Sequence, residues 1–208
     1  VLQALACNSS ATLKTETEPE SGSKTEIALL EFLQKYGEDY NKLRAKWPTS
    51  NKFPFSSKRK RMSIVIDGEG ENGKPRMHIK GASEIILYSC SHFYDFAQDQ
   101  IVPMTESLRA QIEKEIEKMA DQALRTICFA YKDLNGNEDM KAKDDKDVYE
   151  VEKSGFTLLG ILGIRDILRK EVKDAVAKCK TAGITVRMVT GDNNITARAI
   201  ARECGIID

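Results

Sequence analysis

The feature that most constrains the fold is a pair of strand-like runs around a glycine-rich turn. Met62 to Asp67 and Arg76 to Lys80 flank Gly68-Glu69-Gly70-Glu71-Asn72-Gly73. Strand-forming runs on either side of such a turn predict an antiparallel hairpin, here with a long loop. The second run ends in Lys80-Gly81-Ala82-Ser83-Glu84, a strand that closes on a lysine, turns on a glycine and enters a helix reaching about Cys90. The extended basic segment Phe53-Pro54-Phe55-Ser56-Ser57-Lys58-Arg59-Lys60-Arg61 flows into the first strand. Phe55 and Lys80 therefore belong to neighbouring strands, and their side chains can converge on one face.

Upstream, residues 8 to 24 are rich in Ser, Thr, Glu and Lys without apolar periodicity and read as a mobile loop. Thr25 is placed to cap a helix carrying Ile27, Leu29, Leu30 and Leu33, and a short helical piece from Tyr40 to Trp47 stops at Pro48. Downstream, Leu108, Ile112, Ile116, Met119, Ala120 and Ala123 share one stripe of a helix between Thr105 and Ala123. Leu124 to Tyr131 and Phe156 to Ile164 read as strands, with the charged stretch Lys132 to Lys153 as a solvated loop between them.

From Asp166 the pattern changes to alternating helix, strand and helix. Val172, Ala175, Val176 and Cys179 form a stripe closed by Gly183, Ile184 to Val189 reads as a strand, Thr190-Gly191-Asp192-Asn193 as a tight turn, and Ile195 to Cys204 as a helix ended by Gly205. This is one unit of a parallel α/β sheet, too little to cover both faces of one. With 208 residues, above the common single-domain size, the expectation is one complete domain plus part of a second, cut at both ends from a longer chain.

Composition removes several function classes. The 32 acidic and 32 basic residues cancel, so no global field favours nucleic acid. No apolar run reaches 18 residues, so no segment is expected to insert in a membrane. The five cysteines, Cys7, Cys90, Cys128, Cys179 and Cys204, are scattered and form no Cys-x-x-Cys pair, which favours free thiols in a reducing compartment over disulfides or zinc. His78 and His92 have no neighbours at metal-ligand spacing, so no metal site is expected.

The chemistry-bearing candidates each have a plain alternative. Lys80-Gly81 suits an anionic or nucleotide ligand, a cation beside backbone that a ligand can approach; alone, it equally fits an exposed lysine before a turn. Phe55, with Met62 and the cations between them, suits a stacked base and its phosphates, or a core phenylalanine beside a solvated charge run. Glu26 is either an acceptor for an amino group or a first-turn carboxylate on a helix dipole. Arg125 interrupts an apolar strand and must snorkel or meet an anion. Thr190-Gly191-Asp192 and Asp166 sit at strand ends, where α/β folds bind ligands and where ordinary turns also occur.

Together, Lys24-Thr25-Glu26, Phe55 through Met62-Ser63, Lys80-Gly81-Ala82, Leu124-Arg125-Thr126, Asp166 and Thr190-Gly191-Asp192-Asn193 occur in the order seen in P-type cation-transporting ATPases, which the chain resembles over nearly its whole length. Gly183 to Asn193, Ala197 to Ala201 and Cys204 to Ile207 look most like the plasma-membrane calcium pump branch, as does Ser57. The resemblance implies an α+β fold: an antiparallel sheet flanked by helices, the nucleotide-binding domain, over residues 1–161. A fragment of an α/β haloacid-dehalogenase-like phosphorylation domain would follow over 162–208. It implies that Phe55 stacks on the adenine of ATP, that Glu26 contacts its amino group, and that Met62, Lys80, Gly81 and Ala82 line the pocket. Arg125 would hold the polyphosphate, and Thr190, Gly191, Asp192 and Asp166 would serve the phosphoryl group in the closed pump.

The partners implied are ATP, with Mg2+ in the parent enzyme, and the remaining phosphorylation, actuator and transmembrane domains, on the cytoplasmic side of a membrane, the plasma membrane by branch. The family's phosphorylated aspartate in Asp-Lys-Thr-Gly-Thr and its Gly-Asp-Gly-x-Asn-Asp magnesium motif do not occur in this sequence, and Ile167-Leu168 stand where prolines are usual. The expectation is a chain that binds ATP without hydrolysing it. The alternatives are a haloacid-dehalogenase-type phosphatase fragment and a non-catalytic interaction module.

Overall fold

A computed structural model describes residues 1–165, 168–191 and 193–207. The element order is α1 (Leu2–Ala6), α2 (Lys24–Lys35), α3 (Tyr40–Lys46), β1 (Thr49–Ser56), β2 (Arg61–Ile66), β3 (Arg76–Ala82), α4 (Ser83–Ser89), β4 (Cys90–Asp95), β5 (Gln100–Pro103), α5 (Glu106–Asp121), β6 (Leu124–Asp133), β7 (Phe156–Arg165), α6 (Val172–Thr181) and α7 (Asn194–Glu203). Seven strands form one sheet in the order β1-β2-β3-β6-β7-β4-β5. The chain divides into two compact units, residues 1–106 with 127–161, and residues 107–126 with 162–208.

In the first unit, the hairpin forms with the expected pairing. Ile66 faces Arg76, Ile64 faces His78 and Met62 faces Lys80. Because strand side chains alternate, Met62, Ile64, His78 and Lys80 share one face, and Ser63, Val65, Met77 and Ile79 the other. β6 continues both faces, pairing Phe129 with Lys80 and Ala130 with Ile79. The face of Lys80 is met by the α2 residue Glu26. The opposite face is met by Glu152, to which Ser63 donates. The buried α2 residues Ile27, Leu29, Leu30 and Leu33 anchor the helical layer, each worth about 1.5–3 kcal/mol of apolar burial.

Several expectations are corrected here. Residues 8–24 are not a mobile loop throughout: Asn8, Ser9, Ala11 and Leu13 are buried, and Thr12 bridges Ser21. Their composition is polar, but Asn8 Nδ2 donates to the carbonyls of Met62 and His78, so polarity here serves the backbone of the sheet. Ser23, not Thr25, caps α2; its hydroxyl accepts from the Glu26 amide at 3.2 Å and donates to Glu26 Oε2 at 3.3 Å, a capping box whose carboxylate returns to the cap side chain. Strand β3 runs on through Gly81 and Ala82, so Lys80 is not its end. The stretch from 132 to 153 is not wholly solvated, since Leu134, Val151 and Glu152 are buried. The sheet is mixed, because β4 lies parallel to β7. Strands β4 and β5 escape a sequence reading: both are short, β5 lies at the sheet edge, and neither shows a buried-and-exposed alternation.

In the second unit, α5 lays its stripe inward with Ile116 and Ala120 buried. The Thr196 hydroxyl of α7 donates to the Leu124 carbonyl at 3.4 Å. Helices α6 and α7 form as expected, α7 capped by Asn193, whose side chain accepts from the Thr196 amide at 2.9 Å. Between them, Ile184 to Val189 is not a strand: the segment has no ladder partner among the described residues, and Val189 is 97% exposed. A strand needs at least one neighbour to pair its backbone, and apolar residues alone do not supply it. The haloacid-dehalogenase-like fragment is therefore not established by this arrangement. Asp166 and Asp192 lie outside the described residues.

Candidate functional site

The site is built on the face of the β1–β2–β3 ribbon that carries Lys80 and is met by α2. Lys80 is only 6% exposed, which removes the exposed-lysine reading. Its ammonium donates to Glu26 Oε1 at 3.0 Å. The same carboxylate accepts from the Ser10 amide at 3.1 Å, and from the Ser10 and Ser23 hydroxyls. Burial works against the ionised carboxyl of Glu26, but the Lys80 charge and these hydrogen bonds outweigh it and hold the carboxyl below its ordinary range. Burial draws the Lys80 ammonium down, and Glu26 opposes that pull. The helix and the strand are thus tied by one buried pair spanning 54 residues of sequence.

Phe55 stands on the same side. Phe53 faces Ser63 and Ser56 faces Arg61, so Pro54 and Phe55 together oppose Met62, a β-bulge in the edge strand. Ser56 shares the face of Arg61, and alternation turns Phe55 to the face of Met62 and Lys80. Phe55 is 61% exposed, whereas Phe53 is buried, so the core phenylalanine of this segment is Phe53. Met62 is buried beneath, and Ala82 is half-buried at the end of β3.

Gly81 faces Arg61 across the ladder. A Cβ there would meet the Lys60 carbonyl at 2.5 Å and Arg61 Cα at 2.9 Å. The missing side chain is filled by neighbouring backbone rather than held open toward a ligand.

Sequence reasoning missed the groups that support this face. Arg44 sends Nε to the Ala6 carbonyl at 2.8 Å and a second nitrogen to the Ser9 carbonyl at 3.2 Å, fixing the N-terminal segment that delivers Ser10 to Glu26. Only the Ser-x-x-Glu spacing of Ser23 and Glu26 was a readable signal. Arg59 and Arg61, for which the sequence offered phosphate binding or a solvated charge run, are buried. Arg125, half-buried on β6, belongs to the second unit, as do the exposed Thr190 and Gly191, which lie outside regular structure.

A cavity of about 870 Å³ opens elsewhere in the first unit, lined among others by Arg76, Tyr131, Lys132, Asp133, Glu150 and Thr157. None of the candidate residues lines it. Among the described residues, no group of His, Cys, Asp and Glu side chains is arranged to hold a metal ion, and no helix is long and apolar enough to cross a membrane.

The model of the P-type ATPase cytoplasmic domain N matches residues 1–171. The chain belongs to this family. The chain is 46% identical over 186 residues to the calcium-transporting ATPase PAT1 of Dictyostelium discoideum, covering 89% of the chain and 16% of that protein. Against the plasma membrane calcium-transporting ATPase 4 of Bos taurus, the identity is 44% over 190 residues, covering 89% of the chain and 15% of the relative. A putative plasma membrane-type calcium-transporting ATPase 11 of Arabidopsis thaliana aligns with all of the chain at 40% identity, across 19% of its own length. The chain thus spans under a fifth of the length of these relatives.

Proposed function

We propose that this N domain binds ATP on the face of β1, β2 and β3 that carries Phe55, Met62 and Lys80. The observation that carries the reading is the pairing of an exposed aromatic ring at a bulge with a buried, fixed cation on the same face of one ribbon. Phe55 stacks on adenine, Met62 forms the floor, and Lys80, held by Glu26, sets a positive charge within it. Glu26 already accepts four hydrogen bonds. It reaches the adenine amino group by exchanging a serine hydroxyl, and otherwise acts through Lys80. For Arg125, Thr190, Gly191, Asp166 and Asp192, the assignment to phosphate rests on sequence resemblance alone.

In the longer protein, the domain would present ATP to an aspartate outside this chain, within a calcium-transporting pump on the cytoplasmic side of the plasma membrane. Residues 1–161 would be the nucleotide-binding domain and 162–208 a part of the phosphorylation domain. Among the described residues, no three His, Cys, Asp or Glu side chains are grouped to hold a metal ion, so Mg2+ would enter with the ATP phosphates.

One stacking contact and a few partly solvated charge-assisted bonds, set against ordering losses, give an affinity from about tens of micromolar to millimolar. Titration with ATP, followed by backbone amide shifts, tests the reading. Shifts centred on Phe55, Met62 and Lys80 are expected, with loss in Phe55→Ala, whose exposed side chain leaves the fold intact. Nanomolar binding, absent shifts, or shifts confined to the cavity beside Tyr131 and Glu150 would overturn it.

A further inference from the structure

The face of the sheet opposite Lys80 carries a buried charged network that the nucleotide reading leaves unused. Arg59 is 4% exposed and Glu152 fully buried. Arg59 donates one guanidinium nitrogen to Glu152 Oε2 at 2.5 Å and the other to the Pro54 carbonyl. Ser63 donates its hydroxyl to Glu152 Oε1, and Arg61 reaches the Glu152 carbonyl at 2.9 Å. The Arg59 guanidinium also lies 5.1 Å over the Tyr149 ring, which meets Phe53 edge-on at 4.6 Å. Both carboxylate oxygens of Glu152 and both terminal nitrogens of Arg59 have a partner, and a buried pair held this way is costly to break from one side.

What this network grips is specific. Pro54 is the first residue of the β1 bulge and Phe55 the second. A bulge loses ladder bonds and needs other contacts to fix its direction, and on an edge strand no further strand supplies them. The Pro54 carbonyl, the acceptor immediately before Phe55, is held by the one guanidinium that also binds Glu152. We propose that Arg59 and Glu152 are positioning residues: they fix the bulge from behind, so that the Phe55 ring stands ready on the opposite face to take the base.

The proposal rests on the ATP-binding reading and makes the segment around Tyr149–Glu152 part of the site's support, although it lies on the far side of the sheet. Arg59→Lys keeps a charge for Glu152 but lacks the planar fork that also reaches Pro54. Glu152→Gln keeps an acceptor but removes the counter-charge.

The test uses the whole 208-residue chain, with ATP as probe, in wild type, Arg59→Lys, Glu152→Gln, Phe55→Ala and the two corresponding double variants. The readouts are the ATP dissociation constant and the nuclear Overhauser contact between adenine protons and the ring of Phe55. Each positioning variant should weaken ATP by about twofold to tenfold, the span of a lost stacking contact, and weaken the adenine–Phe55 contact. It should have no further effect in the Phe55→Ala background. Unchanged affinity in the folded variants, or a loss of equal size without Phe55, would overturn the proposal. So would unfolding of both variants, since the pair would then be scaffold rather than positioning. A wild-type chain that binds ATP without any adenine–Phe55 contact would sink the nucleotide-site reading itself, and that result is distinct from either.

Discussion

Cutting the Glu26–Lys80 pair from one side weighs what holds the candidate site together. In Glu26→Ala, the Lys80 ammonium remains on β3 with 7% of its side chain exposed, and the carboxylate 3.0 Å away is gone. Two responses are open to it, and both are costly. Either the ammonium stays charged without its counter-ion, or it sheds its proton, since burial already draws it down and Glu26 opposes that. Breaking a buried pair this way costs about 3–5 kcal/mol, a large part of a total stability of roughly 5–15 kcal/mol. Lys80→Met is the gentler cut, because Glu26 keeps the Ser10 amide and the Ser23 hydroxyl; about 1–3 kcal/mol is expected. The double variant should lose less than the sum, with a coupling of about 0.5–3 kcal/mol. Trp47, the single tryptophan, ends α3 in the first unit and reports urea unfolding there by fluorescence. Single variants within about 0.5 kcal/mol of wild type, as for ordinary surface changes, or strictly additive losses, would refute the reasoning.

Three further outcomes follow from the same geometry. The Glu26 carboxyl binds its proton more weakly folded than unfolded, so its contribution is complete above the ordinary 4.5 and is lost as pH falls through the lower folded value. Urea midpoints should therefore decline with acidification below that pH, and Glu26→Gln should flatten the decline; parallel profiles would contradict this. Gly81→Ala should cost about 1–3 kcal/mol, because the added methyl meets the backbone of Lys60 and Arg61, which cannot swing aside; an unchanged urea midpoint would count against that packing. Burial pushes the thiols of Cys7 to about 11 and Cys128 to about 12, so in a thiol-labelling time course at neutral pH, the half-buried Cys179 should react before either.

The local elements were legible in the residues. The glycine-rich turn and its flanking runs determined the hairpin, and the apolar stripes of α2 and α5 determined those helices, because both depend on neighbours within a few positions. The burial of Lys80 was not legible, since Glu26 lies 54 residues away and a Lys-Gly pair reads alike in water and in a core. The same holds for Arg59 and Glu152, 93 positions apart, whose charges each suggested solvent. Ile184 to Val189 shows the converse: its composition promised a strand, but a strand exists only where other backbone pairs with it. Sequence fixes what a segment is able to become; which charges are paired, and which strands find partners, depends on distant residues that only the folded chain brings together.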